Sequence, residues 1–159
     1  EDNIMADTIE SRLQAAGVTL PEAAAPAANY VPTVTYGKVL QTSGQLPMEN
    51  GALAVTGKLG SEVDVETGQK AARLCAINVL AQAKSALGGD LSKIGRLLKL
   101  TVFVSSDPSF TEQHKVANGA SDFLVEILGE KGRHARSAVG VPALPMNAAV
   151  EVEATFEIA

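Results

Sequence analysis

From Val150 to Ile158 the chain alternates strictly. Val150, Val152, Ala154, Phe156 and Ile158 fall on one face of an extended backbone, and Glu151, Glu153, Thr155 and Glu157 fall on the other. A strand of this kind buries one face only. Its sheet therefore needs cover on one side and presents a polar surface on the other.

The cover is supplied by two helical stretches. Residues 64–87 carry Ala72, Cys75, Ala76, Val79, Ala83 and Leu87 at helical spacing, with Asp64 as N-cap, Glu66 in the first turn and Gly88-Gly89 as the stop. A second helix is expected over about 109–128, after the Asp107-Pro108 turn and before Gly129. A short leading helix fits residues 7–16, capped by Asp7 or Thr8 and ended by Gly17, followed by a Pro/Ala-rich connector over 18–29.

Strands are expected at 31–35 and 38–42, joined around Tyr36-Gly37 as a hairpin, and at 96–105 (RLLKLTVFVS). The last of these is apolar on both faces, which predicts a central strand covered on both sides. Residues 47–63 hold Pro47, Asn50, Gly51, Gly57 and Gly60 and read as a loop with at most a short strand. A strand over 134–141 precedes the final one, with Pro142 and Pro145 bracketing the connection. The order is a leading helix and then β-β-α-β-α-β-β. This is an α+β domain with a mixed sheet and two long helices on one face.

The chain has 159 residues, enough for one domain without a disulfide or metal staple. Met5 is expected to be the natural start, with residues 1–4 set aside and a single domain over 5–159. The formal net charge of -5 and the absence of a basic run argue against nucleic acid as a partner. No stretch is apolar and long enough for a membrane span, and no leader pattern is visible, so a cytoplasmic protein is the expectation. Cys75 reads as a small buried hydrophobe. His114 reads as a solvated helix residue. Two distant histidines without a Cys pair make no metal motif, and no glycine pattern suits a phosphate. Neither a metal nor an organic cofactor is expected.

Alternation over 134–141 puts His134, Arg136, Ala138 and Gly140 on one face, and Ala135, Ser137, Val139 and Val141 on the other, which looks core-facing. Arg136 and the glutamates of the last strand would then project onto one surface, away from the helices. Two readings of Arg136 stand at this point. It is either a surface arginine paired with Glu151 or Glu153, worth little to stability, or a planar fork for a carboxylate.

The run ARSAVGVPALPMNAAVEVEA, residues 135–154, resembles the closing segment of the RidA/YjgF family, the reactive intermediate deaminases, also called endoribonuclease L-PSP. An Arg-Ser pair, a valine strand, a Leu-Pro turn and a Glu-x-Glu strand occur there in order. Thr42-Ser43-Gly44-Gln45-Leu46-Pro47 is similar to the family's first-hairpin motif, Thr101–Val104 to its central strand, and Asn78 to an Asn of its first helix. The similarity covers residues 28–158. Ala28-Asn29 stands where the family has Gly-Pro, Ala138 where it commonly has Cys, and Ser121 where it has an aromatic.

The resemblance implies a chorismate-mutase-like fold and a homotrimer with clefts between subunits. It also implies cofactor-free hydrolysis of 2-imino acids and enamines to 2-oxo acids and ammonia. Arg136 would hold the substrate carboxylate and Glu151 would position a water. Tyr30, Ser43, Gly44 and Asn118 would line the cleft, and Ala138 would contribute its backbone carbonyl. Two further readings remain beside this one: a non-catalytic module binding a 2-oxo acid or similar carboxylate, and, ranked last, a ribonuclease.

Overall fold

The structure, a computed structural model, describes residues 7–159; the expected start at Met5 and the set-aside residues 1–4 lie outside them. The first element, α1 (Ile9–Ala15), is capped at Thr8, whose hydroxyl accepts from Ser11 N. Gly17, at φ +70°, turns the chain out of it. The connector that follows has no regular structure up to β1 (Thr33–Tyr36).

β1 and β2 (Val39–Thr42) form the expected hairpin. The turn falls on Gly37-Lys38, one residue later than expected, because Gly37 alone can take φ +55°. The loop contains a minimal hairpin, β3 (Met48–Glu49) and β4 (Ala52–Leu53). Asn50 and Gly51 close it at positive φ, the geometry such a tight turn requires.

The long helix α2 (Val65–Ala86) starts where Asp64 accepts from Thr67 N at 2.8 Å, and stops at Gly88 and Gly89, both at positive φ. β5 (Ile94–Ser105) follows, then α3 (Gln113–Leu128). α3 begins four residues later than expected. Asp107 accepts from Ser109 N and Ser109 Oγ instead, holding residues 107–109 in a turn that competes with helix. β6 (Ala135–Val141) and β7 (Val150–Ile158) complete the chain.

The five-stranded sheet runs β1-β2-β7-β5-β6, with β5 and β6 parallel and the other pairs antiparallel. Both long helices cover one face. Leu97, Leu100, Val102 and Val104 of β5, with Val150, Val152 and Phe156 of β7, are fully buried there against Val79, Leu80, Val116 and Leu124. The other face of β5 departs from expectation: Lys99 is exposed and Thr101 and Phe103 are half-buried, so the strand is covered on one side only in the single chain.

The two helices meet closely at Gly119. A Cβ there would run into the backbone carbonyl of Gln69. This crossing sets the distance of α3 from the sheet edge, and with it the place of Asn118.

Candidate functional site

Arg136 is on β6, directly opposite Leu100 of β5. Leu100 is fully buried on the helix side, so the register turns Arg136 to that side too. This corrects the expected faces of β6. Ala135, Ser137 and Val139 are exposed on the open face of the sheet, while Arg136 and Ala138 turn toward α3. The physical reason lies on α3, which offers polar groups at the sheet edge.

The Arg136 guanidinium donates to Asn118 Oδ1 at 2.9 Å, Ser121 Oγ at 3.1 Å and the His114 carbonyl at 3.2 Å. Ser121 Oγ is also 2.9 Å from His134 Nε2, and His134 Nδ1 is 2.5 Å from the Gly132 carbonyl. All of these partners are neutral acceptors or amphoteric groups. No carboxylate of the described residues neutralises the arginine. The reading of Arg136 as the partner of Glu151 or Glu153 is therefore excluded within the chain.

Glu151 lies on the opposite face of the sheet, two strands away, paired in register with Phe103 of β5. It packs on Gly44, where any Cβ would collide with its carboxylate. Burial pushes its carboxyl above the ordinary range, and the neighbouring charge of Glu153 adds to this. Gln45 fixes this end of β2 to β7 through two backbone hydrogen bonds with Val152, at 2.8 and 3.0 Å.

Ser43, beside Gly44, spends its hydroxyl on the Val31 carbonyl at 2.7 Å and its N–H on the Pro32 carbonyl. Tyr30 and Gly44 share a cavity of 130 Å³ with Pro32, Leu46, Met48 and Met146. Met146 and Asn147 both hold positive φ, at 57° and 61°, and Met146 is 59% exposed over that cavity.

The expected site residues thus divide into two groups. Arg136, Asn118 and Ala138 gather at the β6 edge against α3. Tyr30, Ser43, Gly44 and Glu151 gather where β2 meets β7. The single chain does not bring the two groups together.

Two residues of these networks escaped the sequence reading. Ser121, noted there only for the aromatic it replaces, holds Arg136 and is itself ordered by His134, which the alternation had set on the same face as Arg136. Gln82, 2% exposed on α2, donates to the Ala24 carbonyl and ties down the connector that leads to Tyr30. Its place one turn after Asn78, on a helix whose other buried residues are apolar or glycine, was the signal for it. Asn78 proves to be a bracket: its amide donates to the Leu46 and Met48 carbonyls at 3.0 and 3.1 Å. Cys75 is fully buried with its thiol pushed well up by burial, in keeping with a packing role.

The family profile described as "YjgF/chorismate mutase-like, putative endoribonuclease" matches residues 10–158. Protein TCP17 of Trypanosoma cruzi is 53% identical over 151 residues, 94% of each chain. Among solved structures, the protein Atu1372 of Agrobacterium tumefaciens, described as of unknown function, is 57% identical. It superposes with a TM-score of 0.91 over 96% of this chain and 94% of its own. The structure of Escherichia coli TdcF with bound serine is 28% identical, with a TM-score of 0.62 over 87% of this chain and 94% of its own. A matched profile spanning nearly the whole domain, on the same mixed sheet backed by two helices, leaves one assignment: the chain belongs to the YjgF/RidA family.

Proposed function

We propose that this protein hydrolyses reactive 2-imino acids and their enamine tautomers to 2-oxo acids and ammonia, in clefts shared between the subunits of a homotrimer. The observation that carries the reading is the state of Arg136. Its guanidinium is held in place by three neutral acceptors and is left without a counter-charge. A fixed, uncompensated fork of N–H donors suits the planar carboxylate that every 2-imino acid carries.

The chemistry asks little more of the protein. A protonated imine carbon is already electrophilic. Glu151, half-buried and with a raised pKa, takes a proton from water as the oxygen bonds to that carbon. Glu151 returns that proton to the nitrogen of the resulting carbinolamine, the C–N bond breaks to release ammonia, and the hydroxyl gives up its own proton to the freed carboxylate as the carbon becomes a carbonyl. Gly44 gives the approach to Glu151 its space, and Tyr30 walls the substrate side chain. Because the two groups of residues lie on opposite faces of one sheet, Arg136 of one copy works with Glu151 of another.

The test is a competition. An amino-acid oxidase generates the 2-imino acid in the presence of semicarbazide, and semicarbazone formation is followed by absorbance. The protein is expected to suppress the signal, and Arg136→Ala to restore it. Unchanged suppression by Arg136→Ala overturns the assignment. A second reading keeps the same site as a sensor for small carboxylates without turnover, in line with the serine seen in TdcF. Binding of a 2-oxo acid that requires Arg136, with no suppression for any imino acid, would favour it. Ribonuclease activity ranks last, since the net charge of -5 disfavours a polyanion.

A further inference from the structure

We infer a second small-molecule site, distinct from the Arg136 and Glu151 groups, in the cavity that the N-terminal segment forms against α2. The cavity measures 520 Å³, within the range of small-ligand pockets. Its walls are the chain after α1, from Gly17 to Ala24, and the β3–β4 hairpin. Its floor is two adjacent ridges of α2, Arg73 with Ile77 and Leu74 with Asn78. The segment that closes it is fastened at both ends. Leu13 of α1 is buried in the core, and Gln82 holds the Ala24 carbonyl at 2.8 Å. A segment anchored this firmly, yet bridging a space instead of filling it, is a built pocket.

Its polar groups are specific. Arg73 lays its guanidinium over the Phe123 ring, 5.2 Å from the centroid, and its N–H groups meet no acceptor among the described residues. Asn78 is 8% exposed. Both of its amide hydrogens are used, on Leu46 and Met48, while its Oδ1 accepts no hydrogen bond among the described residues. Glu22 and Glu49 stand among the walls. The cavity therefore offers one cation, one accessible amide acceptor and two acids, around apolar surface from Val18, Leu74 and Ile77.

The complement is a molecule with one carboxylate for Arg73, an N–H or ammonium donor for Asn78 and the acids, and an apolar body. That is the chemistry of an apolar α-amino acid. A second carboxylate would face Glu22 and Glu49, so acidic amino acids are excluded.

The test is a titration of the ¹⁵N-labelled full chain with L-phenylalanine and L-leucine, with L-glutamate as the control, followed by amide chemical shifts. Saturable shifts are expected in residues 17–24 and 48–51 with the apolar amino acids and none there with L-glutamate. Arg73→Gln is expected to weaken binding about tenfold or more, the effect of losing a charged hydrogen bond. Arg136→Ala is expected to leave it unchanged, which separates this site from the proposed catalytic one. Glu49→Gln, on an exposed position that does not threaten the fold, is expected to weaken the apolar amino acids and admit L-glutamate. The inference is overturned by no shifts with either apolar amino acid, by shifts confined to the surroundings of Arg136, or by full affinity in both Arg73→Gln and Glu49→Gln.

Discussion

Glu151 holds two demands in tension at the level of one side chain. It is half-buried on a sheet face with Glu153 two positions away and no cation within ion-pair distance among the described residues. Burial first, and the charge of Glu153 second, raise its pKa. A carboxyl with a folded pKa above its unfolded value binds its proton more tightly in the native state. It therefore destabilises the fold as pH rises from the unfolded pKa through the folded one, and the penalty persists above both. Glu151→Gln removes that penalty. Its melting temperature is expected to exceed that of the parent at neutral pH, with the difference vanishing below the ordinary carboxylate range. Calorimetric scans across pH 3 to 8 check this. A variant less stable than the parent at pH 7 would mean that the carboxylate is held by a favourable partner. A variant more stable than the parent yet inactive would report a residue kept for chemistry at a cost in stability.

At the level of elements, the site depends on how closely α3 approaches α2. Gly119 permits the crossing because a Cβ there would strike the Gln69 backbone. Gly119→Ala gains about 1 kcal/mol of helix propensity. It loses about 3 kcal/mol by forcing two backbones apart, at the upper end for overpacking because no flexible side chain can yield. A net loss of about 2 kcal/mol is expected in urea unfolding, along with weaker carboxylate binding as Asn118 moves off Arg136. The elements themselves were legible where local chemistry decided them. Asp64 and Gly88-Gly89 marked α2 to within a residue, and the alternation from Val150 to Ile158 gave β7 and its faces. β6 was not legible in the same way. Ala135, Ser137 and Ala138 are too alike in polarity to say which face is inside, and the charge of Arg136 pointed to solvent. Only pairing with Leu100, and the Asn118 and Ser121 groups on a helix nearly twenty residues earlier, turn it inward. Contacts at that separation leave no periodic trace in the strand itself.

The open sheet face carries Val139 beside Phe103 at one edge and Val34 with Tyr36 at the other, each of the three 42 to 54% exposed, with the row of glutamates between them. The proposed cleft between subunits needs an assembly that meets this face. Sedimentation is expected to report the trimer of that proposal, and a monomer would remove the shared cleft. A sharper experiment follows from the division of the site residues. If Arg136 and Glu151 act together across a subunit boundary, chains carrying Arg136→Ala and chains carrying Glu151→Gln, each inactive alone, complement when unfolded together and reassembled. In a randomly mixed ring, a cleft is intact only when one neighbour supplies the arginine and the other the glutamate. For equal amounts this gives about one quarter of the parent activity. If both groups had to come from the same chain, every cleft in the mixture would lack one of them and activity would stay at the level of the single variants. Recovery near a quarter therefore assigns the site to the assembly, while its absence from properly reassembled mixed trimers assigns it to the single chain.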